Sequence, residues 1–134
     1  MFIIEYSKIM EPEEIKKIQK DNTGLSSYEY IANHVKDLTD EDLEIVTDNI
    51  IRADSKGQFA VSTARYLNAI DPNRFQKSID VLIKHAISTD REHKYIPDLL
   101  ASIWGEDYEQ HVNELNTKDD NFRRIYKRVY SQGL

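Results

Sequence analysis

Four pairs of residues in this chain share one spacing. An aromatic residue is followed eight positions later by an apolar or aromatic one: Tyr30 with Leu38, Phe59 with Leu67, Tyr95 with Ile103, and Phe122 with Tyr130. Positions i and i+8 belong to one apolar stripe of an α-helix. Recurrence of that stripe roughly every thirty residues points to stacked helical hairpins. The most apolar of these stretches, residues 95–104 (YIPDLLASIW), holds the only tryptophan.

Start and stop signals fill the intervals. Pro12 precedes EEIKKIQ, which sets acidic side chains at the positive end of a helix that should stop near Asn22–Gly24. Ser26 and Glu29 have capping-box spacing, and Leu25 is placed to staple onto Tyr30. Thr39 with Asp42 repeats that grammar ahead of a stripe of Leu43, Val46, Ile50 and Ile51, which ends around Asp54–Gly57. The DPNRF segment predicts a cap at Asp71, a first helical residue at Pro72 and a staple from Ile70 to Phe75. Pro97 sits where a missing amide is tolerated, and Gly105 is a stop. Asp107 then caps a shorter helix, and Thr117 with Asp120 caps the last one.

These signals predict an all-α chain of 134 residues in one domain, with hairpins over about 11–38, 39–71, 72–106 and 107–134. A chain of this length buries about two thirds of its unfolded surface, enough for a core without staples. Residues 1–10 alternate in a way that allows a strand, but no second strand pattern exists to pair with it, so an N-terminal arm or a helical turn is expected. Two antiparallel helices per unit, with a capping aspartate or threonine between units, resemble HEAT-like repeats. That resemblance implies a short solenoid, with an irregular helical bundle as the other packing of the same pattern.

There is no cysteine, which excludes disulfides, thiolate catalysis and zinc sites built on thiolates. Apolar runs are only a few residues long, so a membrane span is not expected. The start, MFIIEYSKIM, has no basic leader and reads as part of the structure, so a cytoplasmic protein is expected. The histidines His34, His85, His93 and His111 never pair at i,i+4, and neither a glycine-rich phosphate loop nor a nucleophile elbow is present. No metal, no cofactor and no catalytic residue is therefore expected.

Charge is more informative. Net charge is −6, but from Lys118 onward five basic residues face two acidic ones, +3, which leaves −9 on the preceding 117. Glu41, Glu44 and Asp48 fall at i, i+3 and i+7 on one face of the third helix, with Asp37 and Asp40 just before. Such a face is either solvated surface or a dock for a basic partner. Nothing near it in sequence would desolvate a carboxylate for acid–base work. Tyr28 and Tyr66 fall near the edges of apolar stripes and join the candidate binding set, since tyrosine combines area with a polar tip. Arg123, Arg124, Lys127 and Arg128 lie opposite Phe122, Ile125, Tyr126 and Val129 on the last helix. They make a candidate basic patch, narrow for a nucleic-acid footprint and suited to pairing with acids of the preceding hairpin.

A small, acidic, cysteine-free chain without catalytic motifs is similar to bacterial toxin-immunity proteins of the contact-dependent growth inhibition type. That resemblance implies a non-enzymatic protein that binds a basic toxin, such as a nuclease, through its carboxylates. Two other readings remain open: a helical-repeat adaptor or regulatory subunit that holds a protein or peptide, and a nucleic-acid-binding domain that uses the basic last helix.

Overall fold

A computed structural model describes residues 10–131, and these are all-α: eight α-helices and one 3-10 turn, with no strand among the described residues. The helices are α1 (Pro12–Gln19), α2 (Leu25–His34), α3 (Asp40–Ala53), α4 (Gln58–Ile70), α5 (Gln76–Thr89), α6 (Pro97–Trp104), α7 (Val112–Lys118) and α8 (Asp120–Tyr130), and the 3-10 turn is Tyr108–His111. The arm expected over residues 1–10 lies outside the described residues except for Met10. The chain groups into two compact units, Met1–Ser55 and Lys56–Leu134. The boundary falls inside the stretch read as the second hairpin, between α3 and α4.

In the first unit, α3 packs against both α1 and α2. Ile18, Ile31, Val35, Leu38, Leu43, Val46 and Ile50 are buried, which accounts for the apolar stripes read from the sequence. Asn49 ties the layers together. Its amide donates to the Ile18 carbonyl at 2.7 Å and to Ser27 Oγ at 2.8 Å. Arg52 continues the seam through the carbonyls of Gln19 and Asp21, both at 3.0 Å. The polar side chains of α3 thereby close the backbone groups left open where α1 ends.

In the second unit, α4 packs on α5 and α6, while α8 packs on α5, α6 and α7. Small residues Ala60 and Ala64 on α4 are fully buried and permit the close approach of α5. Phe75, Leu82, Ile96, Leu99, Leu100, Phe122 and Ile125 are buried as well.

The turns carry a repeat that the aromatic spacing did not show. Asp21, Gly24 and Ser27 correspond to Asp54, Gly57 and Ala60, and again to Asp90, His93 and Ile96. In each triplet the aspartate is buried and the residue six positions on is fully buried. The residue three positions on is left-handed in all three, with φ +101, +88 and +56. In the first and third the carboxylate closes the turn by accepting amides of the turn and of the residues that lead into the next helix. Asp21 takes Thr23 N (3.1 Å), Gly24 N (3.0 Å) and Ser27 N (2.9 Å), and Asp90 takes Lys94 N (3.0 Å), Tyr95 N (2.7 Å) and Ile96 N (2.8 Å). Otherwise orphaned helix-start donors are satisfied from outside the helix.

Several local expectations are corrected by this geometry. Ser26 does not cap α2. The helix begins at Leu25 after left-handed Gly24, and the Asp21 carboxylate does the capping. Leu25 is 43% exposed, so it is no buried staple. DPNRF forms a capped turn, with the Arg74 amide donating to Asp71 Oδ1 at 3.1 Å, and α5 starts only at Gln76. Ile70, its expected staple partner, is 46% exposed. Asp107 makes no cap bond and instead meets the His111 ring at 3.2 Å. Thr117 lies within α7 with its hydroxyl on the Asn113 carbonyl, and Asp119, not Thr117, caps α8 through Phe122 N. Thr39 does cap α3, accepting from Asp42 N at 3.0 Å.

Candidate partner-binding site

The two units differ sharply in charge. Through residue 55 the chain carries 13 acidic against 6 basic side chains, −7; from residue 56 onward it carries 11 against 12, +1. The acidity read from the whole sequence is thus a property of the first unit.

Within that unit the structure places Asp37, Asp40, Glu41, Glu44 and Asp48 all at the surface. Asp42 belongs to the same run but turns inward. It is 1% exposed, and its carboxylate accepts the Met10 amide at 2.9 Å. Asp40 and Glu41 lie in the first turn of α3, where negative charge is stabilised by the helix dipole. Glu44 and Asp48 lie beyond that turn, so helix stability gives no reason for them. They sit on the outer face of a helix whose inner face, Leu43, Val46 and Ile50, is packed.

The tyrosines divide. Tyr28 is half-buried in the first unit, and Tyr66 is half-buried in the second.

No protein family, curated protein or solved structure matches this chain. The HEAT-like and immunity-protein resemblances therefore stand on the sequence pattern alone.

The α8 patch takes a different form from the one expected. Arg123 pairs with Asp120 of its own helix, not with an acid of the preceding hairpin. That pairing holds the Asp120 carboxyl below its ordinary value against the opposing effect of burial. Arg128 leans on the Arg124 carbonyl at 3.4 Å, and Lys127 is exposed. Asp80 of the preceding hairpin is occupied elsewhere: it receives Lys84 and the Asn121 amide, both at 2.8 Å from Oδ1. The aromatic side of α8 is a packing column. Phe122 stacks on Tyr126 at 5.5 Å, Tyr126 meets Tyr130 at 4.4 Å, and Trp104 and Tyr108 close on Phe122 edge-on. The Tyr108 and Tyr130 hydroxyls share a 2.6 Å hydrogen bond, which, with some burial, raises the Tyr108 hydroxyl above its ordinary value. Rings engaged with one another in this way serve the fold.

Sequence reasoning passed over a cleft of about 290 Å³ between α1 and α2. Glu14, Lys17 and Ile18 form one wall and Ser26, Glu29, Tyr30, Asn33 and His34 the other. Tyr30 and His34 lie against each other with ring centroids at 4.4 Å and planes tilted by 36°, and the Tyr30 hydroxyl donates to Glu14 Oε2 at 3.2 Å. The i,i+4 spacing of Tyr30 and His34 was legible; the arrival of Glu14 from α1 was not.

Among the described residues no group of three or more His, Cys, Asp or Glu side chains is placed to hold a metal ion, and no helix is long and apolar enough to cross a membrane.

Proposed function

We propose that the chain is a non-enzymatic binding protein whose first unit docks a basic protein partner, in the manner of an immunity protein that neutralises a cognate toxin. The observation that carries this reading is the exposed ridge of Asp37, Asp40, Glu41, Glu44 and Asp48 on a unit of charge −7. Glu44 and Asp48 are the members to test, because they lie beyond the first turn of α3, where the helix dipole no longer favours a negative charge. A surface rich in carboxylates raises the encounter rate with a basic patch, an effect that fades over the Debye length of about 8 Å at physiological salt. Aromatic and apolar contacts around the ridge would then set the residence time.

The test is capture of partners from native cell extract on immobilised wild-type protein and on Glu41→Lys/Glu44→Lys/Asp48→Lys. A basic protein held by the first and lost from the second supports the reading. It gains further if that protein is toxic when expressed alone and harmless when co-expressed with this chain. Equal recovery on both columns removes the ridge from the account.

A further inference from the structure

The cleft between α1 and α2 combines three features in one place: a carboxylate fixed in orientation, a wall of two adjoining rings, and a size suited to one side chain. Glu14 is held from both ends. Its Oε1 accepts the Glu11 amide at 3.1 Å and its Oε2 accepts the Tyr30 hydroxyl at 3.2 Å. Each carboxylate oxygen has a second lone pair to offer, so the group stands ready for a bidentate donor. Glu29 adds a second carboxylate, and Tyr30 and His34 present their ring pair beside it.

At about 290 Å³ the cleft falls just under the range of roughly 300–1,000 Å³ typical of small-molecule pockets. A single long side chain suits it better than a cofactor. The charged side chains of the lining favour a cation, with Glu14 and Glu29 against Lys17. Burial first, and then the charge and hydrogen bond of Glu14 and the charge of Asp42, push the Tyr30 hydroxyl up to about 12, so it stays protonated and keeps donating to Glu14. Lys17 is the one lysine or arginine of the lining, and it is exposed on a long side chain.

We propose that this cleft seats an arginine side chain of the basic partner, with the guanidinium forked onto Glu14 and laid against the Tyr30–His34 rings. The proposal deepens the basic-partner reading and rests on it. Arginine fits better than lysine because its planar fork matches a carboxylate bidentately and stacks on a ring, whereas an ammonium does neither. Cation–π contact adds to the pairing when the site is partly desolvated.

The probe is N-acetyl-arginine amide, with the isosteric, neutral N-acetyl-citrulline amide as control, followed by NMR of the Tyr30 and His34 ring protons. The expected result is saturable shifts with the arginine compound, at least tenfold weaker binding of citrulline, and a similar loss in Glu14→Gln. His34→Ala, which removes an exposed ring, should weaken binding severalfold with the amide spectrum otherwise preserved. Equal shifts with citrulline, or arginine binding unchanged in both variants, would overturn the proposal. Partner capture separates this from the wider reading. If Glu14→Gln/Glu29→Gln retains a basic partner that the ridge reversal loses, the arginine seat is wrong and the acidic dock stands. If neither variant loses a partner, both fall.

Discussion

A methyl group added at Gly57 would stand 3.0 Å from the Cβ of Asp90 and 3.5 Å from the Ala86 carbonyl oxygen. Asp90 cannot retreat, because its carboxylate is pinned by three amides at the start of α6. Gly57 is also left-handed, at φ +88. Two costs therefore add in Gly57→Ala: about 1–2 kcal/mol for a side chain in that backbone region and about 1–3 kcal/mol for overpacking. Urea unfolding followed by helical circular dichroism should show a loss of roughly 2–5 kcal/mol on those two counts. A loss near zero would mean that the α5–α6 turn yields, and that the close approach is not needed.

Asp21 should act as the acid-sensitive latch of the first unit. Burial pushes its carboxyl up, but the amides of Ser27, Thr23 and Gly24, with the Ser27 hydroxyl, outweigh that and hold it below its ordinary value of 3.8. A depressed folded-state value contributes stability that is complete above the unfolded value and is lost as pH falls through the folded one. The unfolding midpoint of wild type should therefore drop on acidification below about pH 4, as expected for such a carboxylate. Asp21→Asn, which keeps one acceptor and no charge, should flatten that drop. Asp21→Ala leaves buried donors unmet and should cost about 2–4 kcal/mol at pH 7. An acid profile identical in wild type and Asp21→Asn would remove the latch.

The reading of the sequence succeeded where the signal was local and periodic. Leu43, Val46 and Ile50 announced their helix face, and Thr39 announced its start, because both act within one or two turns. It failed where a distant group supplies the missing bond. Ser26 has the right type and spacing for a cap, yet the helix starts one residue earlier, at Leu25, with Asp21 accepting Ser27 N from across the turn, and Ser26 is left inside the helix. The repeat that organises the turns was half visible. Asp21–Gly24 and Asp54–Gly57 share a pattern in plain letters, but at the third turn His93 takes the left-handed position, and without a glycine there the match is hidden. The aromatic repeat misled in the first hairpin: counted from the aspartates, the position of Phe59 and Tyr95 corresponds to Ser26, four residues before Tyr30. The acidic ridge was legible because a helix face follows from spacing alone. The α1–α2 cleft was not, because it needs Glu14 and Tyr30 from separate helices.

Charge reversal on the ridge should separate folding from binding. Glu44 and Asp48 are exposed and beyond the first turn of α3, so Glu44→Lys/Asp48→Lys should stay within about 0.5 kcal/mol of wild type per substitution. Glu41→Lys should cost slightly more, on the order of 0.3–1 kcal/mol, because it opposes the helix dipole. Partner association measured by surface plasmon resonance should slow tenfold or more at low salt, and the gap should close as salt rises. An association rate that ignores both salt and the reversal would show that capture is not steered by these carboxylates.

Trp104 reports on the end of the second unit. Its indole Nε1 donates to Asp119 Oδ2 at 2.7 Å, while Oδ1 of the same carboxylate accepts Phe122 N at 3.2 Å as the cap of α8. One side chain thus joins the end of α6 to the start of α8. Asp119→Ala breaks both bonds, stranding a half-buried indole donor and an uncapped amide. The expected cost is about 2–3 kcal/mol from the lost acceptor and the lost cap. The native tryptophan emission should shift to the red as the ring loosens from its edge-on contact with Phe122. Asp119→Asn keeps one carbonyl oxygen and can serve only one of the two donors, so it should fall between wild type and alanine in both stability and emission. An Asp119→Ala protein with wild-type emission would mean that ring packing alone fixes the indole, and that the carboxylate matters to α8 and not to α6.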